Sequence, residues 1–578
     1  MSRSHRPACA GLCPSIALEV LLIALFSAIS LSAGERPAAA AAPQVLDPGG
    51  LAVCTATGDQ LSPRAVPAAN GAAIVVWQDR RRGTSLNDLY AQSVAANGTV
   101  TPGWPADGVP LCATGTADPP FPVPDGAGGA LVFWRDSRGS GTIFAQRVTA
   151  DGTLAPGWPA DGLQLTTNSP TGSSGGILDA IPDESGGAYV AWKNRPFSTF
   201  IMGRVSRVTA SGTFAPGWSS SGIDFGTAGF QDAVVAGQLS PDPGYGVLFG
   251  LLRTTDPPID FTSYGQLAKI SSGGSTAWSL TLPTHISRYW DGTKSVSVTT
   301  DGAGGCLASW LDYSYPMYEE YMQHYAANAS AQWPADMLAP AYQQIESDRA
   351  GGAYLIGSSY GQIRLDVHRR NATGAMPAGW TPAGITVTQP VGLGAIARTW
   401  FQGALLLCWS ENKTGSGFDI RTVGVDAGGV LVGADPGGTL VSGASGDQIL
   451  PTLSDMSPGR LLACWQDQNS GNWDIRASRI DALTVGVEPT PAAGRALVLG
   501  DAWPNPARES TRFTLSLPGT GEARCAVLDL SGRAVGDAAP ARFGTSLELD
   551  VRGLANGVYW LRMEQGGASV ARRFAVLH

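Results

Sequence analysis

Between residues 60 and 482, short apolar runs alternate with clusters of Gly, Asn, Asp, Pro and Ser, and the whole arrangement returns about every 57 residues. Three copies are clearest: Gly71-AAIVVWQD-Arg80, Gly128-GALVFWRD-Ser137 and Gly186-GAYVAWKN-Arg195. Each leads into a second alternating run (Leu89-YAQSV-Ala95, Phe144-AQRV-Thr149, Met202-GRVSRV-Thr209) and then a Pro-Gly-Trp loop at Trp104, Trp158 or Trp218. Runs this short, rich in Val, Ile, Leu, Phe, Tyr and Trp, predict strands and not helices. Turns at Asn70-Gly71, Asn97-Gly98, Asp125-Gly126, Asp151-Gly152 and Asp301-Gly302 supply residues that accept positive φ. Each copy is expected to hold four strands: one before the glycine turn, one carrying the tryptophan, one carrying the Tyr-Ala-Gln type of run, and one after the Pro-Gly-Trp loop.

The tryptophans count the copies. Trp77, Trp134 and Trp192 lie 57 and 58 residues apart, Trp310 follows after 118, Trp409 after 99 and Trp465 after 56. Each long gap holds one degenerate copy, Gly244-YGVLFGLL-Arg253 or Gly351-GAYLIGSSY-Gly361. Four-stranded units repeated radially predict an all-β fold, a β-propeller of eight blades over residues 44–482, or of seven if a degenerate copy is an insertion. The ends of the repeat region point to closure. Gly49 to Arg64 reads like the junction between two copies, as in Gly108 to Phe121, whereas the last copy stops after its third strand near Ala482. A strand around Leu51 to Thr55 is therefore expected to complete the last blade.

Composition agrees with an extracellular adhesive or scaffold protein. Charged residues are only 15%, and 75 Gly and 40 Pro in 578 residues make a turn-rich chain. A net charge of −9 without a Lys/Arg run argues against a nucleic-acid partner. Residues 1–33 read as a signal peptide: Arg3, His5 and Arg6 precede an apolar stretch from Ile16 to Leu31, with Ser32-Ala33-Gly34 at the cleavage site. Glu19 interrupts the stretch, so no membrane span is expected in the mature chain, and residues 34–43 form an Ala/Pro-rich lead. Beyond Cys9 and Cys13 of the leader, Cys54, Cys112, Cys306, Cys408, Cys464 and Cys525 are scattered without metal-ligand spacing. Cys408 and Cys464, and likewise Cys54 and Cys112, occupy equivalent repeat positions, commonly too far apart for a disulfide, so buried thiols are expected with one bridge left open.

The repeat positions Trp77, Trp134, Trp192, Trp310, Trp409 and Trp465 are expected to pack between blades. Asp79, Asp136, Asp312 and Asp467, two residues beyond a tryptophan, are expected to accept hydrogen bonds at the strand ends. The alternative is a ring of carboxylates at one channel mouth, which Asn194 and Glu411-Asn412 interrupt. The Pro-Gly-Trp indoles pose the same choice between packing and an exposed platform. The fifth copy is the most distinctive, with Tyr313, Tyr315, Tyr318 and Tyr321 beside Glu319-Glu320 where other copies have a short Arg-Gly hairpin. Tyrosines on such a hairpin suit glycan or protein recognition, the bland reading being a hairpin that packs on its own blade.

Residues 483–495 form a Pro/Ala linker, and residues 496–578 predict a small immunoglobulin-like β-sandwich of short alternating strands. Within it Ala502-WPNPA-Arg508, Thr511-RFTLSLP, Val527-LDLSGRAV, Leu554-ANGVYWLRM and Arg573-FAVL occur in order. This stretch resembles the C-terminal sorting domain of the type IX secretion system, similar in turn to the immunoglobulin-like domain of the flagellar hook-capping protein. Ala507 departs from the Phe often found there. The resemblance implies passage to the periplasm by the signal peptide, then across the outer membrane by secretion machinery that reads this domain, often with attachment to the cell surface. The repeat region resembles secreted bacterial propellers only in general.

No nucleophile elbow, P-loop, dinucleotide fingerprint or His-x-x-Glu-His grouping is present, and the sialidase Ser-x-Asp-x-Gly-x-x-Trp turn is absent. Carboxylate pairs for glycoside hydrolysis cannot be assigned from spacing. The residues point away from an enzyme and toward a secreted binding or scaffold protein with an extracellular glycan or protein partner. The competing reading is an extracellular polysaccharide hydrolase or lyase. No cofactor or catalytic metal is implied, and structural calcium is left open.

Overall fold

The computed structural model describes residues 43–139, 142–166, 176–197, 200–225, 232–255, 262–283, 292–314, 317–334, 337–339, 344–357, 363–413, 417–433, 437–468, 471–482, 498–503, 507–516, 523–529, 533–541, 546–565 and 568–578. Residues 1–33, read above as a signal peptide, lie outside them, as do most of the expected lead and the linker. The chain divides into two compact units between Leu483 and Thr484.

The first unit is a β-propeller. Its first blade pairs Gln60–Pro67, Ala73–Asp79, Asp88–Val94 and Val109–Cys112 in that order. Six more blades follow on the second strands Ala130–Asp136, Ala188–Phe197, Gly246–Thr255, Cys306–Ser314, Ala353–Gly357 and Ala404–Asn412. The eighth pairs Gln448–Ser457, Arg460–Asp467 and Asp474–Ala482 with Leu51–Cys54 from the other end of the unit, Leu51 lying opposite Ala477. Both degenerate copies are therefore blades, and the N-terminal strand closes the ring as the repeat junction predicts. Blades three to five are also joined by single parallel pairs, Ile201 with Ala233 and Ser263 with Gly292.

The second strands read as continuous apolar runs because a neighbouring blade covers each face; every residue of Ala73–Asp79 is buried. The core is accordingly a circle of layers between blades. One layer joins Val76 and Leu89 to Val132 and Trp134, and the closing layer joins Val53 and Cys54 to Trp77, Leu462 and Cys464. The first strands line the axis, where one edge has no partner strand. Six of them are bulged, at Leu61/Arg64, Ile177/Asp179, Val234/Ala236, Thr293/Ser295, Leu393/Ile396 and Ile449/Thr452. Pro63, Pro122 and Pro451 also fall on this inner edge, where a missing N–H costs no ladder bond.

The second unit has two sheets, one ordered Val498–Trp503, Ser510–Ser516, Ser546–Asp550 and the other Ala534–Ala541, Ala523–Leu528, Gly557–Gln565, Ala568–Val576. They share a core in which Phe513 meets Phe574 edge-to-face at 5.8 Å. Among the described residues no helix is long and apolar enough to cross a membrane.

Candidate functional site

At the end of each regular second strand, tryptophan, carboxylate and arginine form one node. The indole N–H of Trp77 donates to Asp79 at 2.8 Å, Trp134 to Asp136 at 3.0 Å, Trp409 to Glu411 at 2.8 Å and Trp465 to Asp467 at 3.3 Å. The guanidinium reaches the node by two routes. In blades one and two the residue opposite the tryptophan is aromatic, and Arg81 or Arg138 comes from the following loop to lie over Tyr90 or Phe144. In blades seven and eight that opposite residue is itself the arginine, Arg421 on Glu411 at 2.8 Å and Arg476 on Asp467 at 3.6 Å. In blade three Arg204 lies opposite Trp192, and the Asn194 carboxamide oxygen, in the orientation that satisfies its neighbours, accepts from it at 3.0 Å. In blade five Asp312 accepts from Thr293 at 2.8 Å. Burial alone pushes the Asp136 carboxyl upward, but bonds from Thr116, Trp134 and the Arg138 backbone outweigh it and hold the group below its ordinary value. These carboxylates are buried and engaged, so they make blade framework and no open ring.

Among the described residues, a glycine on the entry to the fourth strand lets the indoles of Trp77, Trp134, Trp192, Trp409 and Trp465 lie close against the backbone. At Gly162, with φ +87°, a Cβ would stand 2.4 Å from the Trp134 ring. In blade six, which lacks the tryptophan, His368 of the third strand takes this place, 2.1 Å from where a Gly384 Cβ would be. Burial, aided by Arg370 and Arg364, pushes the His368 imidazole down to about 4.

At the other end of the strands, the Asp of each Asp-x-x-Gly-Gly turn binds the turn and a side chain of the third strand, an arginine in blades two, three and six and His324 in blade five. Asp125 accepts from the N–H groups of Ala127 at 2.8 Å and Gly129 at 2.7 Å and from Arg147 at 2.9 Å, and Arg147 donates onward to Ala210 O of the next blade at 3.3 Å. Asp183 with Arg207, and Asp348 with Arg369, repeat this staple. The loop tryptophans staple the same junctions: Trp104, Trp218, Trp333 and Trp380 are buried and donate to Ala150, Ser272, Ala372 and Ala427 carbonyls one blade on. They are therefore packing residues and not platforms. All six described cysteines are buried and free, and burial pushes the Cys54 thiol up to about 12.

The fifth-blade hairpin pairs Cys306–Ser314 with Met317–Tyr325, Tyr313 standing opposite Tyr318. Tyr315 and the side chains of Tyr313 and Tyr318 lie outside what the structure describes. Tyr321 is 7% exposed and stacks on Trp310 at 6.0 Å, its hydroxyl donating to Glu319 at 2.6 Å. Tyr321 thus belongs to the blade interior and Glu319 orients it.

Charges that belong to no repeat gather on the axis. The first strands bring Arg64, Asp179, Glu346 and Arg398 there, from blades one, three, six and seven. Arg398 pairs with Glu346 at 3.2 Å and donates to Gln344 and the Ile345 carbonyl, tying blade seven to blade six. Asp179 accepts from the N–H groups of Ala180 and Leu239 at 2.8 and 2.9 Å. Burial raises both carboxyls, with Arg398 opposing the rise at each and Arg64 also opposing it at Asp179. Arg64 is open to solvent in the channel, yet protein surrounds it at longer range, and that enclosure lowers its guanidinium. A cavity of about 530 Å³ adjoins it, walled by the inner strands of blades one, two, seven and eight. Sequence reasoning missed these four residues because it followed what recurs. Their signal was the reverse: a charge at a first-strand position that is small or apolar in other copies. Among the described residues no group of three or more His, Cys, Asp or Glu is placed to hold a metal.

Solved structures similar to this one include an ulvan lyase of a polysaccharide lyase family (12% identity, 74% of this chain and 94% of that one, TM-score 0.42). Others are the BP39L lectin of Burkholderia pseudomallei (10%, 66% and 99%, 0.41) and the β-propeller domain of the Trilobed protease of Pyrococcus furiosus (9%, 64% and 94%, 0.36). At such identities and scores their activities carry no argument for this chain. No curated protein sequence matches it. Residues 501–577 match the secretion system C-terminal sorting domain. In that unit Asp529 closes the Asp-x-x-Gly-Arg turn on the Arg533 N–H at 3.1 Å, and Tyr559 donates to the Ala555 carbonyl at 2.8 Å. The C-terminal unit is thus a type IX secretion sorting domain, which engages the secretion machinery and directs the protein to the cell surface or extracellular space.

Proposed function

We propose that the protein is a secreted binding or scaffold module, a propeller delivered by its C-terminal domain to meet an extracellular glycan or protein. One observation carries this reading. The side chains that recur from blade to blade are engaged within the framework, whereas the charges peculiar to single blades converge on the axis, where a ligand has access. Tyr313 and Tyr318, opposed near the tip of the fifth-blade hairpin, form a second candidate contact.

A polysaccharide hydrolase or lyase is the competing reading. It is favoured by the raised carboxyls of Asp179 and Glu346 on one channel, since perturbed acids mark catalytic sites as well as ion-pair networks. Glycan- and protein-array binding by the full mature chain, with product analysis of every bound glycan, separates the two. Saturable binding without products supports the module, cleavage products establish the enzyme, and binding lost in Tyr313→Ala and Tyr318→Ala places the contact on the fifth blade.

A further inference from the structure

We propose that the axial cavity beside Arg64 binds an organic carboxylate with an apolar body; this inference rests on the reading of the protein as a binding module. Arg64 is the cavity's one cationic wall residue. Its guanidinium carbon lies over the Phe121 ring, 3.8 Å from the centroid. Among the described residues it makes no hydrogen bond or ion pair, so its donors remain open to the channel. Its neighbour in charge, Asp179, is beyond ion-pair reach and spends its two oxygens on the N–H groups of Ala180 and Leu239. A guanidinium resting on a ring, with no described hydrogen bond or ion pair of its own, suits two-point contact with a carboxylate.

The rest of the wall selects the body of the ligand. Pro63, Pro119, Pro122 and Pro451 contribute ring carbons and no N–H, and Leu450 is 41% exposed among them. Leu450 holds φ +53° inside the Ile449/Thr452 bulge, as Ser62 holds φ +55° inside the Leu61/Arg64 bulge of blade one, so the two bulges present both residues to the cavity in the same way. A cavity of about 530 Å³ walled by one cation, four prolines, two alanines and Leu450, with Ser62 and Thr452 as its other polar residues, suits a small acid whose body is mainly aliphatic or aromatic.

The test is titration calorimetry of the full mature chain with hexanoate and benzoate, beside methyl benzoate and inorganic sulfate. The acids should bind, with methyl benzoate and sulfate at least about tenfold weaker, since each lacks one half of the recognition. Arg64→Gln should weaken the acids by about tenfold or more. Leu450→Asp, which keeps Arg64 and introduces a facing negative charge at a position where Asp tolerates positive φ, should abolish binding. Unchanged melting temperatures show that both variants fold. The proposal is overturned if methyl benzoate binds as well as benzoate, if Arg64→Gln leaves affinity unchanged, or if neither acid binds at about 10 mM. Should the acids fail while the arrays find a saturable ligand, the carboxylate site falls and the binding module stands; failure of both removes both.

Discussion

The middle of each blade and the first strands along the axis obey opposite rules. In the middle, position by position, the same contact is rebuilt even when the residues change: the cation at the indole node comes from the loop in blades one and two and from the facing strand in blades seven and eight. On the axis the charges are not rebuilt, even where a first-strand side chain accepts from the next first strand, as Asp179 does from Leu239 and Ser240 from Thr300. Arg64, Asp179, Glu346 and Arg398 are each the property of one blade. In a repeat protein, recurrence therefore spells the frame, and departure from recurrence is where a specific partner can be written.

The sharpest attempt to break this contrast is Gly162→Val. The new side chain would collide with the Trp134 ring and an Ala145 carbonyl at a positive φ, and a loss of more than about 3 kcal/mol is expected, read as a large fall in apparent melting temperature or loss of soluble protein. Gly157→Val is its partner experiment: φ is +86° there too, but nothing lies within 4 Å, so the cost should be backbone strain alone, about 1 kcal/mol. Equal effects would mean that the indole contact contributes nothing.

Next in size is Asp79→Ala, which leaves the Trp77 N–H and the Arg81 guanidinium without their shared acceptor in a buried node; about 3 kcal/mol should be lost in urea unfolding. Blade six gives a pH-dependent version. His368 titrates near 4 when folded against 6.5 when free, so the unfolded chain takes up the proton first. The stability tied to its neutral form is present in full above pH 6.5 and falls as pH drops toward 4, by up to about 3 kcal/mol. Urea midpoints at neutral pH and near pH 4 should diverge less for His368→Phe than for the parent. Smallest of all, Arg64→Gln should leave stability within about 0.5 kcal/mol, because the axial guanidinium supports no described hydrogen bond or ion pair. A large loss there would place Arg64 in the frame and undo the contrast.

Sequence periodicity exposed most of the frame because turn chemistry and strand patterning are local. Blade number, strand order and the Leu51–Cys54 closure all followed from runs and turns that need no knowledge of distant contacts. What stayed hidden depends on register and side-chain reach across space. Nothing in the run of residues says that Trp104 docks on Ala150 of the next blade, or that His368 stands where blade six has lost its indole. The cluster of tyrosines in the fifth copy was visible, yet only cross-strand pairing shows that Tyr321 faces inward onto Trp310.

The composite eighth blade sets an order of events in time. Arg476 donates to the Gly50 carbonyl across 426 residues of chain, so a strand made early must wait until nearly the whole propeller has emerged before it finds its place. Contacts of such separation form late and slowly, and until then Leu51–Cys54 and the edge of the opening blade are liable to stray pairing. The export signal at residues 501–577 lies just beyond the segment that ends this wait. A chain truncated before Gln448 therefore lacks both the strands that receive Leu51–Cys54 and the sorting domain.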